Sequence, residues 1–353
     1  MSITPEWAPN IHPLIVHFPI ALLVSAALVD LAALVLRNRP GLRDLATLLY
    51  CAGAGAAITA YFTGRNAETS LMLPADVNLF VDEHEDWAFR TTWFFVFFAS
   101  VRLAVSYIIR PKTIVLPAGV FLVGLIGIFM LYETAEHGGE LVFAHGIGVQ
   151  NTTEDEAKPE LPARAAAPGI ILLDEGSWVW RPVEADPQAL AKDFKWLEHD
   201  ISHLAPDAVT DTEKGPVLGM HPHGMAVTFV GGPALNAVQT DVNLKLAGFD
   251  GAVMVVFHVQ DAATYDFFAV GQGMARLGRM QNGSREIFEE KKVATDGWLA
   301  LRAYGGAGHF RGYVNGELVT HGHAKDLPSG PVGLRIDGTG TVLVEQVHVE
   351  AAE

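Results

Sequence analysis

A single cysteine, Cys51, stands among 353 residues. Its isolation excludes a disulfide framework, a cysteine-built zinc site and covalent c-type haem attachment. Any metal the chain binds must therefore be held by histidine, carboxylate or methionine. Charge is scarce too: 18% of residues are charged against 50% hydrophobic. Positive charge is the scarcer sign, with 24 Lys and Arg against 40 Asp and Glu and a net charge of −16. Such a chain has little with which to neutralise phosphates, which excludes nucleic acid as a partner. The mean hydropathy of +0.25 is too high for an ordinary soluble domain and too low for a wholly embedded protein, so two unlike halves are averaged in it. Residues 1–149 hold only 8 of the cations and 12 of the anions. The remainder reads as an acidic soluble domain.

Four long apolar runs occupy the first half, about Pro13–Leu36, Leu45–Phe62, Trp87–Ile109 and Ile114–Tyr132. Each approaches the roughly 20 residues that cross the hydrocarbon of a bilayer. Polar stretches, Arg37–Asp44, Thr63–Asp86 and Arg110–Thr113, separate them. The first run is not a cleaved signal peptide, because Met1–Asn10 has no basic residue and no small-residue cleavage site follows. Arg37, Arg39 and Arg43 lie in the first connection, and Arg110 and Lys112 in the third. The bias of basic residues towards the cytoplasm predicts that these two connections are cytoplasmic, with the N-terminus and everything after the fourth helix outside. The expected location is a bacterial inner membrane with its second half in the periplasm. Asp30 and Arg102 fall inside the first and third runs at similar depth. They are predicted to pair, or Arg102 to snorkel to the interface while Asp30 binds hydroxyls. Pro19 is expected to kink the first helix by removing a hydrogen bond to Ile15.

Five histidines belong to this half: His12, His17, His84, His137 and His145. His12 and His17 open the first helix, His84 precedes the third, His137 ends the fourth and His145 follows it. In the expected topology all five collect at the outer face of one bundle. A cluster of five outweighs the tolerance of single histidines for membrane interfaces and points to ligands. His12 and His17 stand roughly 140° apart around a helix, so partners must come from other helices. The second run carries Ala52-Gly53-Ala54-Gly55-Ala56-Ala57, small residues that admit a close helix neighbour and would leave room for a flat macrocycle. Gly138-Gly139 is expected to end the fourth helix and fold the chain back over the site.

The segment His12-Pro13-Leu14-Ile15-Val16-His17-Phe18-Pro19-Ile20-Ala21-Leu22 resembles the opening of a bacterial membrane family catalogued as domain of unknown function 2231. The resemblance continues in His84-Glu85 and in His137-Gly138-Gly139-Glu140-Leu141-Val142-Phe143-Ala144-His145-Gly146, and spans residues 10–149. It implies a four-helix membrane module with all five histidines at motif positions. Related segments joined to c-type cytochrome domains imply redox work.

Asn151–Pro168, rich in Ala, Pro and acids, reads as a linker. The domains are therefore 1–149, a linker over 150–168, and 169–353. Beyond the linker, short alternating segments and turn dipeptides dominate. Val238–Leu246, Val253–Val259, Ala275–Gln281, Arg285–Glu289, Trp298–Tyr304, His309–Val314, Glu317–Thr320, Val332–Ile336 and Val342–Val349 read as strands. Asp250-Gly251, Asn282-Gly283 and Asn315-Gly316 read as type I′ hairpin signals. The fold class expected is a four-helix transmembrane bundle followed by an extracytoplasmic all-β jelly-roll sandwich. Trp298-Leu299-Ala300-Leu301-Arg302, Gly312-Tyr313-Val314-Asn315-Gly316 and Gly330-Pro331-Val332-Gly333-Leu334 resemble the laminin-G and concanavalin-like superfamily, which extends to sugar-binding and sugar-cleaving members. No Glu-x-Asp-x-x-Glu occurs, and Glu286, Glu289 and Glu290 read as a solvated face, so no opposed carboxylate pair for glycoside hydrolysis is apparent. His221-Pro222-His223 and His321-Gly322-His323 would chelate a metal if extended, because alternate strand residues share a face. Pro222 and Gly322 instead read as loop residues.

Three functions follow as expectations. In the first, the protein is a b-type cytochrome that moves electrons at the outer face. One or two haem b groups would be held by His17, His84, His137 and His145, with His12 a further ligand or support. A periplasmic cytochrome or other membrane-complex subunits would be its partners. In the second, it is a non-redox membrane anchor or assembly subunit whose sandwich binds protein or glycan. In the third, the histidines hold copper or zinc, although the scarcity of methionine disfavours copper(I). No nucleophile–base pair or phosphate loop is recognisable, which points to an accessory subunit more than to an enzyme.

Overall fold

Every apolar run of the first half is helical, and the helices outrun the apolar residues. The computed structural model describes residues 10–36, 39, 41–68, 73, 75–111, 113–148, 169–173, 176–182 and 187–352. The chain divides into two units, Met1–Ser70 with Phe80–Glu154 and Leu71–Leu79 with Asp155–Glu353. The expected linker, 150–168, lies outside the described residues.

The helices of the first half are α1 (His12–Ile15), α2 (His17–Val35), α3 (Gly41–Glu68), α4 (Ala75–Leu103) and α5 (Val115–Phe143). Helix α4 continues as a π-helical stretch, Ala104–Ile109. Four spans are long and apolar enough to cross a membrane: His12–Val35, Gly41–Glu68, Val77–Ile109 and Val115–Phe143. The first is interrupted at Val16, between α1 and α2. Pro19 has no N–H to give the carbonyl of Ile15, so the ladder breaks where the kink was expected. Thr63–Asp86 is helical over most of its described length, so His84 lies within α4 and does not precede a helix. Helix α5 also runs through Gly138-Gly139 as far as Phe143. The apolar run marks the part in hydrocarbon, whereas Glu, Arg and Ala extend a helix into water at little cost. Two glycines cost about 2 kcal/mol against alanine, which a helix nucleated on both sides can carry.

Small residues set the helix packing. A Cβ on Gly53 would lie 2.5 Å from Cδ2 of Leu23, so Leu23 of α2 fills the smooth groove of α3. The space at Gly53 is therefore taken by a side chain and is not left for a macrocycle. Gly127 is pressed by Phe94 and Phe95 in the same way. Towards the other end of the spans Arg102 Nη1 donates to Asp30 Oδ2 at 2.6 Å, with both side chains buried. The guanidinium also lies 5.3 Å from the centre of the Tyr50 ring. Pairing, not snorkelling, satisfies these two charges.

The second unit holds β1 (Ile170–Leu172), β2 (Trp178–Trp180), a short helix α6 (Pro187–Asp193), β3 (Lys195–Glu198), β4 (Asp207–Asp211), β5 (Gly215–Met220), β6 (Val227–Leu235), β7 (Val238–Asp261), β8 (Thr264–Gly271), β9 (Met274–Gln281), β10 (Ser284–Lys292), β11 (Trp298–Gly306), β12 (His309–Val314), β13 (Glu317–His323) and β14 (Gly330–Ala351). All described pairings are antiparallel. Strands β7 and β14 pair along nearly their whole length and belong to two layers. The first half of β7 and the second half of β14 form the middle of layer one, between β2 and β5 on one side and β11, β12 and β13 on the other. Their remaining halves form the middle of layer two, between β6 and the run β8, β9, β10. Val242, Leu244, Leu299 and Leu301 of layer one share a core with Val255, Phe257, Phe268 and Leu277 of layer two. The two-layer antiparallel sandwich expected from the sequence is thus present.

Asn282-Gly283 and Asn315-Gly316 make the expected hairpins, with φ of 51° and 78° in one and 52° and 86° in the other, as a type I′ turn requires. Asp250-Gly251 makes none, and lies inside continuous β7 opposite Gly338 of β14. A Cβ on Gly251 would sit 2.6 Å from Cα of Gly338. The two glycines let the paired backbones press together where they pass from one layer to the next.

Candidate functional site

Two of the five bundle histidines share one local arrangement. His12 places Nδ1 3.2 Å from Thr63 Oγ1. The Thr63 hydroxyl gives its only proton to the carbonyl of Ala60 at 3.0 Å, so His12 Nδ1–H is the donor in the first contact. His84 Nδ1 donates to the carbonyl of Thr134 at 3.1 Å. Each ring rests on a glycine. A Cβ would come within 3.0 Å of His12 Cε1 at Gly64, and within 2.9 Å of His84 Cε1 at Gly138. With Nδ1 protonated and held, Nε2 of each imidazole carries the lone pair. Thr63 and Thr134, the groups that set these tautomers, carry no pattern that sequence reasoning would have isolated.

The other three histidines differ. His137 Nδ1 faces the carbonyl of Glu133 at 2.8 Å and its Nε2 faces Glu83 Oε1 at 3.2 Å. Both nitrogens face acceptors, so both are engaged as donors when the ring is protonated. His145 has its ring centre 4.2 Å from that of Phe80. His17 is exposed on the first turn of α2. Among the described residues of the membrane unit, the group placed closely enough to hold a metal is Glu133, Glu136 and His137, and it unites no two of the five histidines.

A second site lies on the outer face of layer one. Alternation along β7 sends Val242 and Leu244 inward and Asp241, Asn243 and Lys245 outward. Direct pairing sets Trp298 opposite Lys245, and Arg302 opposite Asp241. The Arg302 guanidinium takes both Asp241 oxygens, at 2.7 and 3.1 Å. Trp298 Nε1 donates to Asp211 Oδ1 at 3.1 Å, and Lys245 reaches Asp211 Oδ2 at 3.2 Å. Lys214 bonds Glu345 Oε2 at 2.9 Å, which also accepts from Asn243 Nδ2 at 3.2 Å. Both ammonium groups lie within 6 Å of the indole centre, at 5.8 and 5.9 Å. The backbone N–H of Glu213 is the first cause holding the Asp211 carboxyl down at about 2, reinforced by Trp298 and Lys245. A half-exposed indole is thereby rimmed by donors and acceptors whose positions are fixed by one another. Sequence reasoning singled out Trp298 for its fold and missed its partners, which lie on β4, the turn between β4 and β5, β7 and β14.

The two His-x-His pairs part company. His221 spends both ring nitrogens, on Thr341 Oγ1 at 2.9 Å and Asp207 Oδ1 at 3.0 Å, and forms no chelating group with His223 among the described residues. His321 and His323 lie on strand β13 and not in a loop. Gly322 between them is small because a Cβ there would lie 2.7 Å from Cβ of Phe288 across the core. Burial, then Arg311 and His323, push the nearby His309 imidazole down to about 3.

The first half thus holds four apolar spans, with His12 resting on Gly64 and His84 on Gly138. Residues 8–151 match the predicted membrane protein family DUF2231. The match takes in all four spans and ends before the first strand of the sandwich. Among curated proteins none matches the chain. Solved structures similar to it include the carbohydrate binding module CBM66 from Bacillus subtilis, at 17% identity and a TM-score of 0.37, over 45% of this chain and 95% of that one. A Bacillus subtilis protein of unknown function with a galectin-like fold aligns at 8% identity and a TM-score of 0.37, over 48% and 93%. The Caenorhabditis elegans galectin LEC-6 aligns at 14% and 0.28, over 41% and 95%.

Proposed function

We propose that the segment matching DUF2231 is a membrane anchor and that the sandwich it carries is a binding module for polyhydroxylated ligands of the glycan class. The observation that carries this reading is the Trp298 cluster. Sugars present an apolar C–H face and a rim of hydroxyls, and they are held by an aromatic surface with fixed donors and acceptors at its edge. Trp298 supplies the surface, and Lys214, Asn243, Lys245, Asp211 and Glu345 supply the rim. The distribution of arginine and lysine between the spans supports an extracytoplasmic sandwich in a bacterial inner membrane. Full-length protein in nanodiscs, applied to a glycan array, should retain a defined subset of glycans. Trp298→Ala should weaken that retention by at least about tenfold, the loss of one well-placed aromatic contact of about 1.4 kcal/mol. Retention of no glycan, or equal retention by the variant, would overturn the reading.

A second reading is favoured by the tautomers of His12 and His84. An imidazole whose Nδ1–H is held by a neighbouring helix keeps its lone pair on Nε2, the form in which a histidine would hold haem iron. Haem b, when bound, would supply one-electron chemistry, and His12 and His84 would be its ligands, not His17 or His137. Thr63 and Thr134 orient the two rings, and Gly64 and Gly138 keep them close to the helices that hold them. Protein purified after expression with added haem precursor should show a Soret band that falls by at least half in His12→Ala and in His84→Ala. Absence of the band in wild-type protein leaves the anchor reading alone.

A further inference from the structure

We propose that His309, His321 and His323 form a three-imidazole site for a divalent zinc-type cation on the outer face of layer one. This inference is independent of the glycan reading, since none of the three belongs to the Trp298 cluster. Hairpin register creates the site. His309 of β12 and His323 of β13 are direct cross-strand partners, and His321 pairs with Arg311 one step along the same face. Inward positions of the hairpin are taken by Phe310 and Val314, which join the core, and by Gly322, which meets Phe288. The three imidazoles must therefore share the opposite face.

Their rings are close together. Centre-to-centre distances are 4.6 Å for His309 and His323, 4.7 Å for His321 and His323, and 6.1 Å for His309 and His321. One ring nitrogen from each lies within 4.8 Å of the others. Zinc–nitrogen bonds of about 2.0–2.1 Å in a tetrahedral site put ligand nitrogens about 3.4 Å apart, which small side-chain rotations reach from here. The backbone beneath the site is fixed. His321 N–H donates to Glu289 Oε2 at 2.6 Å, Ala324 N–H to the carbonyl of Gly308 at 3.1 Å, and Gly308 N–H to Asp326 Oδ1 at 3.0 Å. An all-imidazole donor set selects zinc and its neighbours over calcium or magnesium, which take oxygen ligands. Three ligands from one hairpin leave a fourth position for water or another donor.

The experiment uses full-length protein in detergent, stripped with a chelator, with Co2+ as the optical probe and Zn2+ as the competitor. One equivalent of Co2+ should give visible d–d absorption that Zn2+ abolishes. His321→Ala and His323→Ala should each weaken Zn2+ binding by at least about tenfold, since even outer-shell partners of a metal ligand are worth that much. Thermal melting in chelator should leave both variants folded, because these two side chains are not part of the core. The combined variant His12→Ala/His84→Ala in the membrane unit should keep the full Co2+ signal. The proposal is overturned if wild-type protein gives no one-to-one Co2+ signal. It is equally overturned if the double variant His321→Ala/His323→Ala binds Zn2+ as tightly as wild type, or if only the bundle variant loses the metal.

Discussion

Arg102→Met should lower the thermal stability of the membrane unit more than any exposed substitution in it. Arg102 and Asp30 are buried against each other, 2.6 Å apart, within the spans. Removing the guanidinium strands a carboxylate among apolar helices, and breaking a buried pair in this way costs about 3–5 kcal/mol. The neighbouring Thr47 hydroxyl cannot make up the loss. It already bonds the carbonyl of Arg43 at 2.9 Å and Ser106 Oγ at 3.0 Å. The double variant Asp30→Leu/Arg102→Met replaces both charges with apolar groups and should recover most of the loss, as hydrophobic replacements of buried ion pairs do. Melting followed by size exclusion of fluorescently tagged protein in detergent ranks the three proteins. Equal melting of Arg102→Met and wild type would show that the pair is not needed for stability.

In the sandwich the largest expected loss follows the smallest possible change, Gly333→Ala. Gly333 lies on β14 between Val230 of β6 and Val256 of β7. An added Cβ would overlap the carbonyl oxygen of Phe229 and come within 2.7 Å of Cα of Val230. Both are backbone atoms in the middle of a sheet, so no side-chain rotation relieves the overlap, and the cost falls in the exceptional class above about 4 kcal/mol. Gly283→Ala is the control. Its φ is 78°, but nothing lies within 4 Å of the added atom, so it should lose only the conformational term of about 1 kcal/mol. Protease resistance and thermal melting of the C-terminal unit in full-length protein separate the two. A Gly333→Ala protein melting within about 3 °C of wild type would contradict the argument.

The spans were legible because a bilayer constrains nearly every residue that crosses it, and Pro13–Leu36 or Ile114–Tyr132 can be read by composition alone. Where the helices end was not legible, because water accepts a polar helix as readily as a polar loop; hence Glu68, His84 and Gly138 are all helical. Asn282-Gly283 and Asn315-Gly316 announced their turns, whereas Asp250-Gly251 carries the same signal for another reason, the close approach of Gly338. Candidate sites divide along the same line. His12 and His84 stood out by residue type, but Thr63 and Thr134, which fix their tautomers, could be found only from helix packing. His321-Gly322-His323 could be read as a pair, yet His309 joins it through hairpin register. The cluster around Trp298 draws on Asp211 and Glu345, positions joined by no local pattern. A buried chain in layer two, His258 to Asp266 at 2.9 Å and Asp266 to Arg279 at 2.6 Å, was missed for the same reason.

Strand β14 has a consequence for synthesis. It follows every other strand in chain order and supplies the middle of both layers. Neither layer can close while β14 is still on the ribosome, however long ago its neighbours emerged. The hairpins β8–β9–β10 and β11–β12–β13 can form by local pairing as they appear, but each must wait with one side of β7 unfilled. Such waiting edges are where a chain pairs with the wrong neighbour. Growth of the sandwich is therefore a late, single closure, and a ribosome stalled before β14 leaves two half-sheets joined only through β7, each with one edge of that strand open.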